Sequence, residues 1–280
     1  YAVIETGTSN SFGNLQALMD ELGVAAGQIR YVIPTHVHLD HAGGAGRCMA
    51  AFPDAQLVIH PRGARHMVDP EKLVAGTIEV YGQQRFSALY GEVLPVDPAR
   101  VSVPGDGEIL SLGHRRLACH YTRGHADHHF CLWDEDDRAW FSGDMFGVSY
   151  PWLRFPGGPL LLPSTTPTQF RPAEYAASLD LLASREPRQM YLTHTGALEY
   201  SRSLVDGLRQ QLDHYCELAL RDGNEAGELA VALGDYTLQR ARCLGYQGES
   251  AELLEWLATD SRLNAQGLAI WAQRSSEAGA

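Results

Sequence analysis

One stretch of ten residues decides the fold and the chemistry of this chain: Thr35-His36-Val37-His38-Leu39-Asp40-His41-Ala42-Gly43-Gly44. Three imidazoles and one carboxylate lie within six residues, and they cannot all face one way from a regular helix or strand. On a tight loop they can converge, because the two glycines let the backbone turn closely. Neutral imidazole and carboxylate are ligands of zinc, iron and manganese. The stretch therefore predicts a metal site at the end of the short apolar strand over residues 31–34.

Three further motifs follow downstream, each at the end of a predicted strand: Gly124-His125, Ser142-Gly143-Asp144 and Leu192-Thr193-His194-Thr195-Gly196. A fourth, Ile4-Glu5-Thr6-Gly7, precedes the histidine-rich stretch. In this order and spacing, the five motifs resemble the metallo-β-lactamase superfamily over residues 1–200. The resemblance implies an α/β (α+β) fold, a four-layer αββα sandwich.

The resemblance also implies a set of seven metal ligands. One ion would be held by His36, His38 and His125, and a second ion by Asp40, His41 and His194, with Asp144 bridging the two. Both carboxylates, Asp40 and Asp144, are predicted to be catalytic as well. The cofactors are two divalent ions, with zinc favoured and iron or manganese as alternatives. Glu5 stands where the family usually has Asp, and it is expected to orient the metal-binding loop.

Two neighbouring cations lower the pKa of a shared water, so that a hydroxide can attack an electrophilic carbonyl near neutral pH. Within the family, three groups remain: glyoxalase II-like thioesterases, lactonases, and hydrolases in which a helical C-terminal segment follows the last ligand. The chain looks most like the third group, which includes quorum-sensing effector thioesterases. We therefore predict a dinuclear metal-dependent hydrolase that uses a metal-bridging hydroxide on a thioester, lactone or related carboxylic ester.

Two alternatives remain open at this point. Persulfide dioxygenases of the same fold use one iron ion, so an iron-dependent sulfur/oxygen oxidoreductase is the second hypothesis. A regulatory effector that keeps the metal site and acts through its helical tail is the third. Flavodiiron-type oxygen reductases are disfavoured because they carry Glu at the position of His38.

The chain is predicted to have two parts: a metal-hydrolase domain over residues 1–200 and a helical C-terminal subdomain over residues 201–280. The first alternates strands and helices and then forms a β-meander from residue 108 to 141. Residues 61–90 show mixed helix and loop without a sharp pattern, and residues 145–172 read as a long proline-rich loop. The chain begins inside a strand-like run, so we expect an N-terminal segment to be missing.

Composition limits the partners. The 280 residues carry 34 acidic and 22 basic side chains, a net charge of −12, with Lys72 as the one lysine. Such a chain is a poor candidate for nucleic acid or an anionic membrane surface. Five cysteines without a pairing pattern favour reduced thiols and a cytoplasmic location. We expect a small-molecule substrate, no nucleic acid, no membrane, and a homodimer as one possible assembly.

Several residues have weaker claims to the site. His128 and His129 follow His125 closely enough to hydrogen-bond a ligand or to close the turn. The tyrosine that assists lactonase relatives has two candidates by position, Tyr150 and Tyr200. Apolar residues of the 145–172 segment could form a pocket for an acyl chain or pack the segment onto the sandwich; they are Tyr150, Trp152, Phe155 and Leu160 to Leu162. Two arginines could meet a substrate anion or solubilise the surface; they are Arg154 and Arg171.

Overall fold

A computed structural model describes residues 1–221 and 225–279, which divide into two compact units. The first unit comprises residues 1–121 and 128–137. The second comprises residues 122–127 and the chain from residue 138 onward. Each unit contains both strands and helices.

The first unit holds a parallel four-stranded sheet whose order in space follows the chain: β1 (Ala2–Ile4), β2 (Tyr31–Ile33), β3 (Gln56–Val58) and β4 (Val101–Ser102). Strand β2 is buried along its whole length, which explains its uninterrupted apolar sequence. Functional residues in parallel sheets tend to follow the carboxyl ends of the strands. The histidine-rich stretch leaves the end of β2.

Helices connect and cover these strands: α1 (Phe12–Leu22), α2 (Leu39–Ala42), α3 (Ala45–Ala51), α4 (Pro61–Val68), α5 (Glu71–Tyr81) and α6 (Gln83–Tyr90). Met19 of α1 and Met49 of α3 pack with Val32 and Leu57 of the sheet in one buried apolar core. An antiparallel meander completes the unit, with β5 (Ile109–Leu112), β6 (Arg115–Tyr121) and β7 (Phe130–Asp134) paired in sequence order.

In the second unit, β8 (Ala139–Gly143) pairs in parallel with β11 (Gln189–Leu192), which pairs antiparallel with β12 (Gly196–Glu199). The two-residue strands β9 (Arg154–Phe155) and β10 (Gly158–Pro159) pair as a small hairpin, which lies between β8 and β11 in the sequence. The helices are α7 (Pro172–Ser184), α8 (Arg202–Ala219), α9 (Ala226–Cys243), α10 (Ser250–Trp256) and α11 (Ala258–Gly279). The predicted C-terminal helical segment is therefore confirmed, whereas its boundary as a separate subdomain stays a prediction.

Three local expectations differ from the structure. Residues 61–90 form three helices. Pro61 begins α4 and Pro70 precedes α5, while Gly82, with a φ of +77°, ends α5 before α6 begins. The 145–172 segment contains β9, β10 and a bridge between Val148 and Leu162, so it is not an open loop. Strand β12 escaped prediction because Thr195 and Gly196 read as the end of the chain's last strand.

Leu160, Leu161 and Leu162 are nearly inaccessible to water. Leu160 and Leu162 pack with Ala241 of α9 and Leu253 of α10. This packing explains why residues 160–162 are apolar, and no bound acyl chain is needed to explain it. No helix within the part of the chain that the structure describes is both long and apolar enough to cross a membrane.

Two glycine substitutions test the packing of α3 and α5. A Cβ at Gly46 of α3 would overlap the backbone carbonyl of Leu94, whereas one at Gly76 of α5 would meet open space. Gly46→Ala should lower the free energy of unfolding by about 1–3 kcal/mol through overpacking. Gly76→Ala should raise it by about 0.5–1 kcal/mol, because alanine loses less backbone entropy in a helix. Urea unfolding of both variants measures these changes, and shifts of the same sign would contradict the described packing.

Candidate metal centre

Four of the predicted ligands lie together in the first unit. Nε2 of His36 is 2.8 Å from Nδ1 of His38, and the ring centroids of His36 and His41 are 4.0 Å apart. Nε2 of His41 lies 3.4 Å from a carboxylate oxygen of Asp40. His36 and His41 are fully buried, whereas Asp40 is partly exposed. The loop after β2 thus gathers three imidazoles and one carboxylate, as its sequence predicts.

Glu5 fixes this loop from the end of β1. Its carboxylate accepts hydrogen bonds from the Thr35 hydroxyl (2.6 Å) and the Thr35 backbone N–H (3.1 Å), and its Oε1 lies 3.1 Å from Nδ1 of His41. Glu5 adopts a φ of +64°, the left-handed region that non-glycine residues rarely occupy. The carboxylate of Glu5 therefore holds the loop after β2 in place.

The hydrogen bonds also orient the imidazole rings. The Thr35 hydroxyl lies 3.0 Å from Nδ1 of His36, so Nδ1 of both His36 and His41 is occupied by a supporting group. A histidine whose Nδ1 is held in this way presents Nε2 to a metal ion. The donor set in this unit fits a divalent cation on that ground.

His128 and His129 lie next to the loop. The His128 ring stacks on His36 at a centroid distance of 6.2 Å, and its Nδ1 is 3.4 Å from the backbone nitrogen of Val37. The His129 ring is 4.9 Å from that of His36. Both rings lie near that of His36, a predicted ligand, and their supporting role stays a prediction.

The other three predicted ligands lie together in the second unit. The two carboxylate oxygens of Asp144 face different histidines, with Oδ2 3.6 Å from Nε2 of His125 and Oδ1 3.5 Å from Nε2 of His194. Asp144 and His125 are buried, and His194 is partly exposed. Nδ1 of His125 donates to the backbone carbonyl of Ser164 at 3.0 Å. One carboxylate placed between two imidazoles has the arrangement required of a bridging ligand.

Among the residues that the structure describes, His/Asp clusters that could hold a metal ion are present. Seven side chains make up these clusters, and they are the seven that the sequence predicts: His36, His38, Asp40, His41, His125, Asp144 and His194. Their role as ligands stays a prediction, as do the number and identity of the ions.

Of the two candidate tyrosines, Tyr150 lies beside a predicted ligand. Its ring contacts the ring of His194 edge-on at 6.1 Å, and its hydroxyl donates to Oδ1 of Asp260 at 2.8 Å. Burial raises the pKa of Asp260, and the hydrogen bond from Tyr150 opposes this rise. The ring of Tyr200 instead packs near Phe146 at 6.2 Å.

The two arginines considered for substrate binding have partners within the second unit. Arg171 forms ion pairs with Asp127 and Glu174. Burial raises the pKa of Asp127, but hydrogen bonds from Arg171 and Arg123 outweigh it and lower the pKa to about 2. Arg154 donates to the backbone carbonyl of Ala197. These contacts account for both arginines without a substrate anion.

Sequence reasoning missed Ser164, Asp260 and Asn264. Ser164 and Asn264 belong to no recognisable sequence motif. Asp260 and Asn264 also lie more than sixty residues after His194, the last predicted ligand. Only the packing of α11 on the 145–172 segment brings them near the ligands.

Residues 1–194 match the family model described as the metallo-beta-lactamase superfamily. The chain therefore belongs to this superfamily. It is 25% identical to a metallo-beta-lactamase fold-containing protein, ST1585, of Sulfurisphaera tokodaii over 81% of this chain and 80% of that protein. The solved structure of ST1585 from Sulfolobus tokodaii superimposes with a TM-score of 0.61 and 20% identity over 95% of this chain and 87% of that one.

Two relatives of known activity match shorter parts. Acyl-coenzyme A thioesterase MBLAC2 of Gallus gallus is 31% identical over 44% of each chain. Hydroxyacylglutathione hydrolase of Francisella tularensis subsp. novicida is 25% identical over 42% of this chain and 34% of that enzyme. The chain thus spans less than half the length of these two enzymes. The predicted family and fold class are confirmed, and the glyoxalase II-like branch has weak support.

The role of Glu5 can be tested by Glu5→Gln. An amide has one acceptor oxygen where the carboxylate has two, so at least one of the donors on Thr35 and His41 loses its acceptor. Supporting residues of metal sites contribute about 10- to 100-fold to affinity, and we expect a loss of that size. Titration with Zn²⁺ against a chelating dye measures it. Glu79→Gln, on the outer surface of α5, is the matched control, and equal affinity in the two variants would contradict the assigned role.

Proposed function

We propose that this chain is a dinuclear metal-dependent hydrolase of thioesters or related carboxylic esters, lactones included. The observation that carries the proposal is Asp144, whose two oxygens face His125 and His194 separately. Such a carboxylate is suited to bridge two ions, and the sequence predicts four more N and O donors for them in the loop after β2. Zinc is the favoured metal, with iron and manganese as alternatives.

The choice of reaction is supported by the acyl-coenzyme A thioesterase and hydroxyacylglutathione hydrolase relatives, both of which cleave thioesters. Bound divalent ions would polarise the substrate carbonyl and lower the pKa of coordinated water. The residues of the chain orient the imidazole rings. Glu5 contacts His41, and Thr35 contacts His36. The backbone carbonyl of Ser164 contacts His125.

An aromatic surface in the second unit suggests how the acyl group is bound. Tyr150 and Trp152 stack in parallel with centroids 5.0 Å apart, and Trp256 contacts Trp152 edge-on at 5.1 Å. The two tryptophans are 44% and 46% exposed, although large apolar side chains are usually covered. Because Tyr150 also contacts His194, this surface begins beside a predicted ligand. We propose that it binds an aromatic or long apolar acyl group.

The activity is tested with purified protein, elemental analysis and a panel of thioesters and lactones assayed before and after chelation. We expect about two divalent ions per chain and hydrolysis that chelation abolishes and metal restores. Asp144→Asn should lower kcat/KM by at least about 100-fold, because loss of a ligand should cost no less than loss of its support. Asp20→Asn, on the exposed face of α1, is the control.

Fewer than one ion per chain, together with no chelator-sensitive hydrolysis, would refute the proposal. Oxygen consumption by iron-loaded protein with a persulfide would favour the oxidoreductase alternative. A biological effect that survives Asp144→Asn and is lost on substitution of the helical tail would favour a regulatory effector.

The aromatic surface is tested by Trp152→Ala. Loss of stacking and apolar contact should raise KM for an aromatic or long-chain thioester about 10-fold, equivalent to about 1.4 kcal/mol. KM for an acetyl thioester should change by less than about twofold, since a methyl group cannot reach across the surface. Val231→Ala, at an exposed position of α9, is the control. Equal changes for both substrates would contradict selective binding of the acyl group.

A further inference from the structure

The C-terminal helix α11 holds a peptide group that also contacts a predicted metal ligand. The side-chain Oδ1 of Asn264 accepts a hydrogen bond from the backbone N–H of Thr165 at 2.7 Å. The Thr165 hydroxyl donates to the Asn264 backbone carbonyl at 3.0 Å. Thr165 and Asn264 are both buried, so water does not compete for these bonds.

The same peptide group meets His125 on its other side. The N–H of Thr165 and the C=O of Ser164 belong to one planar unit, and in a trans peptide they point in opposite directions. Asn264 accepts from the N–H, while the carbonyl accepts from Nδ1 of His125 at 3.0 Å. No cis peptide bond occurs among the described residues. Rotation of this plane would therefore move the acceptor that orients His125.

Further contacts hold the peptide group between Ser164 and Thr165. Gly267 lies one turn after Asn264, and a Cβ there would overlap the backbone carbonyl of Thr165. The Ser164 hydroxyl lies 3.5 Å from Oδ2 of Asp144, and the Tyr175 hydroxyl donates to the Asp144 backbone carbonyl at 3.2 Å. The peptide between Ser164 and Thr165 is thus packed between α11 and two predicted ligands.

We propose that Asn264 is a positioning residue for the metal centre, acting on His125 through the Ser164–Thr165 peptide group. This inference rests on the metal site of the proposed function but not on the reaction catalysed there. It gives the helical tail a defined role: α11 sets the direction in which Nε2 of His125 points. Sequence distance hides this role, because Asn264 lies 139 positions after His125.

The test is Asn264→Ala, which leaves the Thr165 N–H without its acceptor and frees the peptide plane. Cobalt(II) is the probe, since its absorption spectrum reports the ligand geometry. We expect a 10- to 100-fold loss of cobalt affinity, typical for removal of a supporting group, and a changed visible spectrum. Asn264→Asp keeps an acceptor oxygen in place and should restore most of the affinity. Gln266→Ala, on the same helix and half-buried, is the control.

Two further variants keep the test decisive if Asn264→Ala folds poorly. Asn264→Leu keeps the branched shape of the side chain but not the acceptor, and it should weaken cobalt binding as alanine does. Gly267→Ala pushes on the Thr165 carbonyl from the helix and should change the cobalt spectrum with Asn264 intact. Thermal unfolding of the metal-free proteins separates loss of fold from loss of orientation.

Normal cobalt affinity and an unchanged spectrum in a folded Asn264 variant would overturn the inference and leave Asn264 with a packing role only. Failure of the wild-type protein to bind cobalt would overturn both this inference and the proposed function. Cobalt binding without hydrolysis of any thioester or lactone would refute the proposed activity alone, because the positioning of His125 is still measured by affinity and spectrum.

Discussion

The conformation of the loop after β2 depends on the contacts that the carboxylate of Glu5 makes with it. The carboxylate accepts both donors of Thr35 and contacts Nδ1 of His41, and it does so from a backbone conformation with φ of +64°. A left-handed residue other than glycine costs about 1–2 kcal/mol. Hydrogen bonds to a charged acceptor contribute about 1.5–3 kcal/mol each, so together they outweigh that cost. Without them, four closely spaced donors would have no fixed direction.

In the second unit, a different group orients the imidazole of a predicted ligand. His125 is held by a backbone carbonyl instead of a carboxylate, and α11 holds the far side of that peptide group through Asn264. In both units Nδ1 is occupied by a protein group, which directs Nε2 outward. The proposed hydrolysis would depend on imidazoles held in this way and on the acidity of water bound to divalent ions.

The candidate ligands can be recognised in the sequence because most of them follow a short strand, where local pattern and position in the sheet agree; their role as ligands stays a prediction. His36 to His41 follow β2, Asp144 follows β8 and His194 follows β11. What supports the ligands is harder to predict. Asp260 and Asn264 reach the site only through the packing of α11, and the burial of Leu160 and Leu162 depends on α9 and α10. Tertiary contacts between distant segments leave no periodic signal in either one.

The most direct measurement of the central claim is anomalous X-ray diffraction from crystals of the purified protein, recorded on both sides of the zinc, iron and manganese absorption edges. We expect two ions about 3.5–4 Å apart, with one oxygen of Asp144 bound to each. His36, His38 and His125 should ligate one ion, and Asp40, His41 and His194 the other. A single ion, or two ions without a shared Asp144, would contradict the account.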